Sequence, residues 1–122
     1  MIKTLIGYDI ERGVSVEEYD RWLREVHIPD ILANPHVSRL VFNTTIRPVV
    51  RTSGGAASVD AGLSFYRIAE MHFEDMAAYE RYLAWFDAHP IPPNRGPSGR
   101  TAFRFYLLAD AFEAHRDAPA AD

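Results

Sequence analysis

The run Arg21-Trp22-Leu23-Arg24-Glu25-Val26-His27-Ile28-Pro29 sets a histidine just ahead of a proline. An unperturbed imidazole titrates near pH ~6.5, so His27 is suited to carrying a proton at neutral pH. Its setting opposes two influences. The C-terminal end of a helix favours the imidazolium, while burial at the edge of an apolar stripe favours the neutral base. A structural use competes with the chemical one, because Pro29 leaves a helical carbonyl without its donor and a boundary histidine can bond it.

Other side chains offer weaker chemistry. Tyr8 shares a strand face with Ile6 and Ile10, where its hydroxyl could donate to a developing enolate or simply take one partner in a core. Tyr66, Glu70 and His72 fall on one face by alternation. Glu70 and His72 could be an acid/base pair or half a metal site, or solvated or dimer-buried polar residues; one His and one Glu is a thin ligand set, and no metal is expected. Tyr19, Trp22, Trp85 and Phe86 can wall an aromatic ligand or serve as core. His89 lies beside a proline-rich loop in which Arg95, with Arg100 just after it, could meet a carboxylate or phenolate. There is no cysteine, which removes thiolate chemistry and Cys-type metal sites. GxGxxG, P-loop, G-x-S-x-G and H-E-x-x-H patterns are also absent, so no cofactor is implied by a motif.

The elements that must position these groups follow from periodicity. Residues 2–10 alternate as a strand, and Ser15 stands three residues before Glu18, the spacing of a capping box. At about 100° per residue, Val16, Tyr19, Trp22, Leu23 and Val26 form one stripe, with His27 at one edge and Trp22 at the other. The helix ends near Ile28 or runs on with a kink to about Ala33. Val37 to Val50 reads as a second strand with Pro48 marking an edge, 51–62 as a flexible hairpin loop, and Leu63 to Phe73 as a third strand. Asp75 caps a second helix with Met76, Tyr79, Leu83 and Phe86 inward. A stiff proline-rich loop, Ile91 to Gly99, precedes a last strand, Thr101 to Ala109.

The order is β-α-β-β-α-β, a ferredoxin-like α+β fold with an antiparallel sheet and both helices on one face. Residues 1–113 read as a single domain and 114–122 as a frayed tail. On the last strand Phe103, Phe105 and Leu107 oppose Ala102, Tyr106 and Leu108. Both faces therefore need cover, which a second copy would supply as a homodimer. The net charge of −4, from 13 basic and 17 acidic side chains, and the lack of a basic stripe argue against nucleic acid. No stretch has the length of a membrane span or a signal segment, so a soluble cytoplasmic protein with no membrane partner is expected.

The element order, the two apolar sheet faces and the run from Tyr19 to Pro29 resemble the dimeric α+β barrel superfamily, and within it the EthD-like branch, which often carries an aromatic, Trp, His and Pro at this spacing. The resemblance implies a ligand cavity between helices and sheet in each subunit. It also implies proton transfer by a first-helix histidine, here His27, in cyclase-like and isomerase-like members. The expected activity is cofactor-independent: cyclisation, isomerisation or elimination on a small aromatic, polyketide-like or lactone-like carbonyl compound, with His27 as acid/base and Tyr8 on the oxyanion. Tyr19, Trp22, Tyr66, Trp85, His89 and Arg95 would contact the substrate. Cofactor-free oxygenation and non-catalytic ligand or haem binding are the alternatives.

Overall fold

The computed structural model describes residues 1–46 and 65–116. Strands β1 (Ile2–Ile10), β2 (Arg39–Thr44), β3 (Arg67–Phe73) and β4 (Thr101–Asp110) form one antiparallel sheet in the order β2-β3-β1-β4. Between β1 and β2 the chain is helical in three pieces: α1 (Val16–Trp22), a π-helical turn (Leu23–His27) and α2 (Ile28–Leu32). Helix α3 (Met76–Ala88) links β3 to β4. The expected β-α-β-β-α-β order is therefore present. The second strand's expected end at Val50 with Pro48, the 51–62 loop, positions 63–64 of the third strand and the tail from 117 onward lie outside the described residues. Among the described residues no helix is long and apolar enough to cross a membrane.

Strand pleating fixes what each face presents. Thr4, Ile6 and Tyr8 of β1 pair with Met71, Ala69 and Arg67 of β3, which in turn pair with Leu40, Phe42 and Thr44 of β2. This face meets Tyr19, Trp22, Leu23, Ile31 and Tyr82 from the helices to make the core. The opposite face carries Leu5, Val41, Ile68, Phe105 and Leu107 around a polar network. Lys3 Nζ donates to Glu70 Oε1 at 2.9 Å, His72 Nε2 lies 3.0 Å from the same oxygen, and Asn43 Nδ2 donates to Oε2 at 3.0 Å. Burial pushes the Glu70 carboxyl up, but these hydrogen bonds outweigh it and hold the group below its usual range.

Local signals set the helix starts. Ser15 Oγ accepts from the Glu18 N–H at 3.1 Å, and Asp75 Oδ1 accepts from the Ala78 N–H at 2.8 Å. The buried stripes differ from expectation. Val16 is exposed, because the inward side of α1 begins a turn later at Tyr19. Met76 and Leu83 are exposed as well, because Phe73 packs edge-on against both Tyr79 and Tyr82 and turns that side of α3 toward the sheet.

A register shift between Gly7 and Tyr8 corrects the expected faces of β4: Gly7 pairs with Phe105 and Tyr8 with Phe103, so Arg104 is the extra residue of a β-bulge. Phe103 consequently joins Tyr106 on the helix side, ring centroids 6.3 Å apart, while Phe105 crosses Gly7 on the other side. The Arg104 guanidinium closes the bulge on Asp9 Oδ2 at 2.8 Å. A Cβ on Gly7 would overlap the Phe105 ring. Gly7→Ala should therefore destabilise the protein by about 1–3 kcal/mol, the usual cost of overpacking. Urea unfolding of Gly7→Ala in a Phe105→Ala background should show most of that cost relieved; an equal cost in both backgrounds contradicts the packing.

Candidate functional site

Pro29 has no N–H to offer the Glu25 carbonyl and would crowd it in an uninterrupted α-helix. The chain answers by widening ahead of the proline. The Ile28 N–H bonds the Leu23 carbonyl, an i→i+5 closure, and Pro29 then stands in the first turn of α2, where its missing donor costs nothing. A wider turn rotates each residue through less than the α-helical ~100°. Position 27 thus comes back toward position 22. The Trp22 and His27 rings stack at 4.6 Å with a 19° tilt, whereas a regular α-helical projection puts them on opposite edges of the stripe.

His27 is half-buried, and its Nδ1 is buried with no hydrogen-bond partner among the described residues. The competing structural expectation, an imidazole bonded through that nitrogen to a carbonyl freed by Pro29, is not what the structure contains. Burial pulls the His27 pKa below its usual value; Asp30 partly offsets this and Arg100 adds to it. His27 lines a cavity of about 250 Å³ between helices and sheet, together with Ile6, Leu23, Ile31, Met71, Phe86 and Phe103 among others. Tyr8 lines the same cavity. Its residue is 3% exposed, and its hydroxyl also lacks a partner among the described residues. Burial raises the Tyr8 pKa against the lowering influence of the neighbouring Arg67 and Tyr19 side chains, so the phenol stays protonated and able to donate.

The other expected site residues divide. Tyr19 lines the cavity, but its hydroxyl is engaged with Thr101 Oγ1 at 2.9 Å. Trp22 is behind the cavity: it stacks on His27, and its Nε1–H donates to the Arg95 carbonyl at 2.9 Å. Arg95 makes a two-pronged pair with Asp30, Nε to Oδ2 at 2.9 Å and Nη2 to Oδ1 at 2.8 Å, which holds the Asp30 carboxyl below its usual range. It pins the proline-rich loop to α2, and Ile91 and Pro97 of that segment then close one side of the cavity. Arg100 sits over the Trp22 ring at 5.1 Å and donates to the Gly96 carbonyl. Trp85 and exposed His89 stack on each other at 4.2 Å, with His89 Nδ1 held by the Trp85 carbonyl, away from the cavity lining. His72 belongs to the far face of the sheet, where Nδ1 lies 3.1 Å from Met1 Sδ. Tyr66 departs from the face it was expected to share with Glu70 and His72, because β3 begins only at Arg67 and its hydroxyl turns toward Asp20 on α1. Among the described residues no three His, Asp or Glu side chains converge as a metal site requires.

Arg67 and Asp20 escaped the sequence reading. Arg67 is 5% exposed on the helix-facing side of β3, and its Nη1 donates to Asp20 Oδ1 at 2.9 Å. The available signal was an arginine in alternation with Ala69, Met71 and Phe73, a charge on an apolar strand face.

Protonation of His27 is resisted in the fold and free in the unfolded chain. The stability it contributes is whole above the ordinary histidine pKa and is lost as pH falls below it toward the folded value. A proton NMR titration should place His27 below about 6.5, and the loss of stability on acidification through that window should shrink in His27→Gln. A folded pKa at or above the ordinary value contradicts the buried setting.

No family model matches the chain, and no curated protein matches it in sequence. Its fold is nonetheless shared with solved structures. HapK from Hahella chejuensis is 13% identical, with 97% of this chain and 99% of that one aligned at a TM-score of 0.56. The protein At3g17210 from Arabidopsis thaliana is 14% identical over 97% of this chain and 100% of that one, TM-score 0.58. At such identity the likeness establishes the fold alone, a ferredoxin-like α+β arrangement.

Proposed function

We propose that this fold serves as a small-molecule enzyme of the EthD-like kind, in which His27 removes a proton from a small aromatic, polyketide-like or lactone-like carbonyl compound and Tyr8 donates to the oxyanion that results. The observation that carries the reading is the pair of buried polar atoms without partners among the described residues, Tyr8 Oη and His27 Nδ1, on two residues that line one apolar cavity. A buried polar group left unsatisfied costs about 1–3 kcal/mol, so two such atoms on residues that line one cavity favour an occupant that reaches them as the side chains turn toward it. At about 250 Å³ the cavity is slightly below the ~300–1,000 Å³ of drug-sized pockets, which suits one or two rings.

The chemistry follows from the two environments. Burial keeps His27 neutral, leaving a lone pair on one ring nitrogen for a carbon-bound or phenolic proton. Trp22 holds the imidazole plane while the proton moves. Burial keeps Tyr8 protonated, so it can donate to the carbonyl oxygen as negative charge builds there. Cyclisation, isomerisation and elimination would all begin with this transfer. Deuterium exchange at the α-carbons of 2-tetralone and α-angelica lactone in heavy water measures it directly. The wild-type chain should accelerate exchange, His27→Ala should lose about 10²–10⁴-fold, and the rate should rise with pH through the depressed His27 pKa. No acceleration on either probe, or a full rate in His27→Ala, overturns the reading.

We also read the protein as a single domain that pairs with a second copy over the sheet face away from the helices, where Leu5, Val41, Ile68, Phe105 and Leu107 lie. Sedimentation equilibrium at micromolar concentration should give twice the chain mass. A monomer there contradicts the pairing.

A further inference from the structure

Beneath the cavity lies a charge that the proton-transfer reading does not use. Tyr8 and Arg67 are cross-strand partners on the helix-facing side of the sheet, and both are almost fully buried. Three groups fix the guanidinium: Nε donates to Thr44 Oγ1 at 2.9 Å, Nη1 to Asp20 Oδ1 at 2.9 Å and Nη2 to the Tyr66 hydroxyl at 3.1 Å. The pair is asymmetric in its access to water. The Arg67 side chain is 6% exposed and that of Asp20 is 28% exposed. Solvent screens the carboxylate more than the guanidinium, so the field left over at the Tyr8 end is positive. The order of influences on Tyr8 agrees, since Arg67 lowers its pKa more than Asp20 raises it.

We propose that Arg67 is a positioning residue for Tyr8, held by Asp20, Thr44 and Tyr66 so that its buried charge strengthens the Tyr8 O–H as a donor and makes this end of the cavity select ligands that bind as delocalised oxyanions. The class is phenols and enolisable carbonyl compounds, in preference to neutral ligands of the same shape. The proposal rests on the reading that Tyr8 meets the reacting oxygen. It adds the source of the charge that makes an otherwise apolar cavity hospitable to an anion, which such surroundings alone would disfavour.

Binding of 4-nitrophenol tests it, because the bound phenol and phenolate are distinguished by visible absorbance at a fixed pH. Arg67→Met should lower the phenolate-to-phenol ratio of the bound probe about tenfold, equivalent to one pKa unit, and Arg67→Lys should restore most of it. Asp20→Asn should raise the ratio, since it removes the opposing charge while Thr44 and Tyr66 still hold the guanidinium. This opposite sign separates an electrostatic role from simple loosening of the site, which would lower the ratio in both variants. If Arg67→Met fails to fold, Arg67→Lys and Asp20→Asn carry the test. A ratio that shifts in Tyr8→Phe but not in Arg67→Met, or that falls in Asp20→Asn, overturns the role of Arg67 alone. A ratio unmoved in Tyr8→Phe, or no uptake of the probe, removes the Tyr8 reading together with it.

Discussion

Pro29 cannot donate a backbone hydrogen bond, and much of the candidate site depends on how the chain accommodates that fact. A regular helix through this position would leave the Glu25 carbonyl without its donor and crowd it with the pyrrolidine ring. The π turn at Leu23–His27 absorbs the misfit one step upstream and lets α2 restart with the proline in its first turn. The cost is a looser turn. The return is a rotation that lays the His27 imidazole flat on Trp22 and leaves Nδ1 buried without a neighbouring carbonyl to bond among the described residues.

The surroundings of that turn are tied rather than merely packed. Trp22 is anchored through its indole N–H to the Arg95 carbonyl, and Arg95 grips Asp30 on the helix just after the proline. The loop, the turn and α2 thereby brace one another. A stacked imidazole with a fixed plane loses little orientational freedom when a ligand binds, which is the condition for a positioned base. Across the cavity the sheet supplies the complementary part: Tyr8 stands on a central strand, the most rigid place available, beside a buried and fully anchored Arg67. Burying a guanidinium is costly unless it is paired and hydrogen-bonded, and here Asp20 on α1 supplies the counter-charge while Thr44 and Tyr66 supply further acceptors.

Much of the frame was legible in the chain itself. Alternation from Ile2 to Ile10, the Ser15 and Asp75 caps and the proline-rich break before Thr101 all rest on short-range sterics and hydrogen bonding, and these elements form where expected, while the strand expected from Leu63 to Phe73 begins at Arg67. The misses have one origin. Val16, Met76 and Leu83 fit a helical stripe by type, yet the inward direction was settled by aromatic partners on another element. Phe103 changed faces because one extra residue, Arg104, entered the ladder, and Tyr66 left its expected face because β3 starts after it. Neither event leaves a mark on composition or spacing.

The sequence by itself determined the order of the elements, the buried face of β1 and the presence of a histidine beside a helix-interrupting proline, since each follows from the period and chemistry of neighbouring residues. Only the tertiary structure decided that His27 Nδ1 would be buried without a partner among the described residues, that Tyr8 would line the same cavity as His27, and that Arg95 would pair with Asp30. Whether a polar atom is satisfied depends on groups far apart in the chain, and the rotation of the π turn depends on a hydrogen-bond register chosen during packing. Arg67 marks the boundary between the two. Its place on the buried face was written in the alternation of β3, but what it charges, and what holds it there, came from α1, β1 and β2.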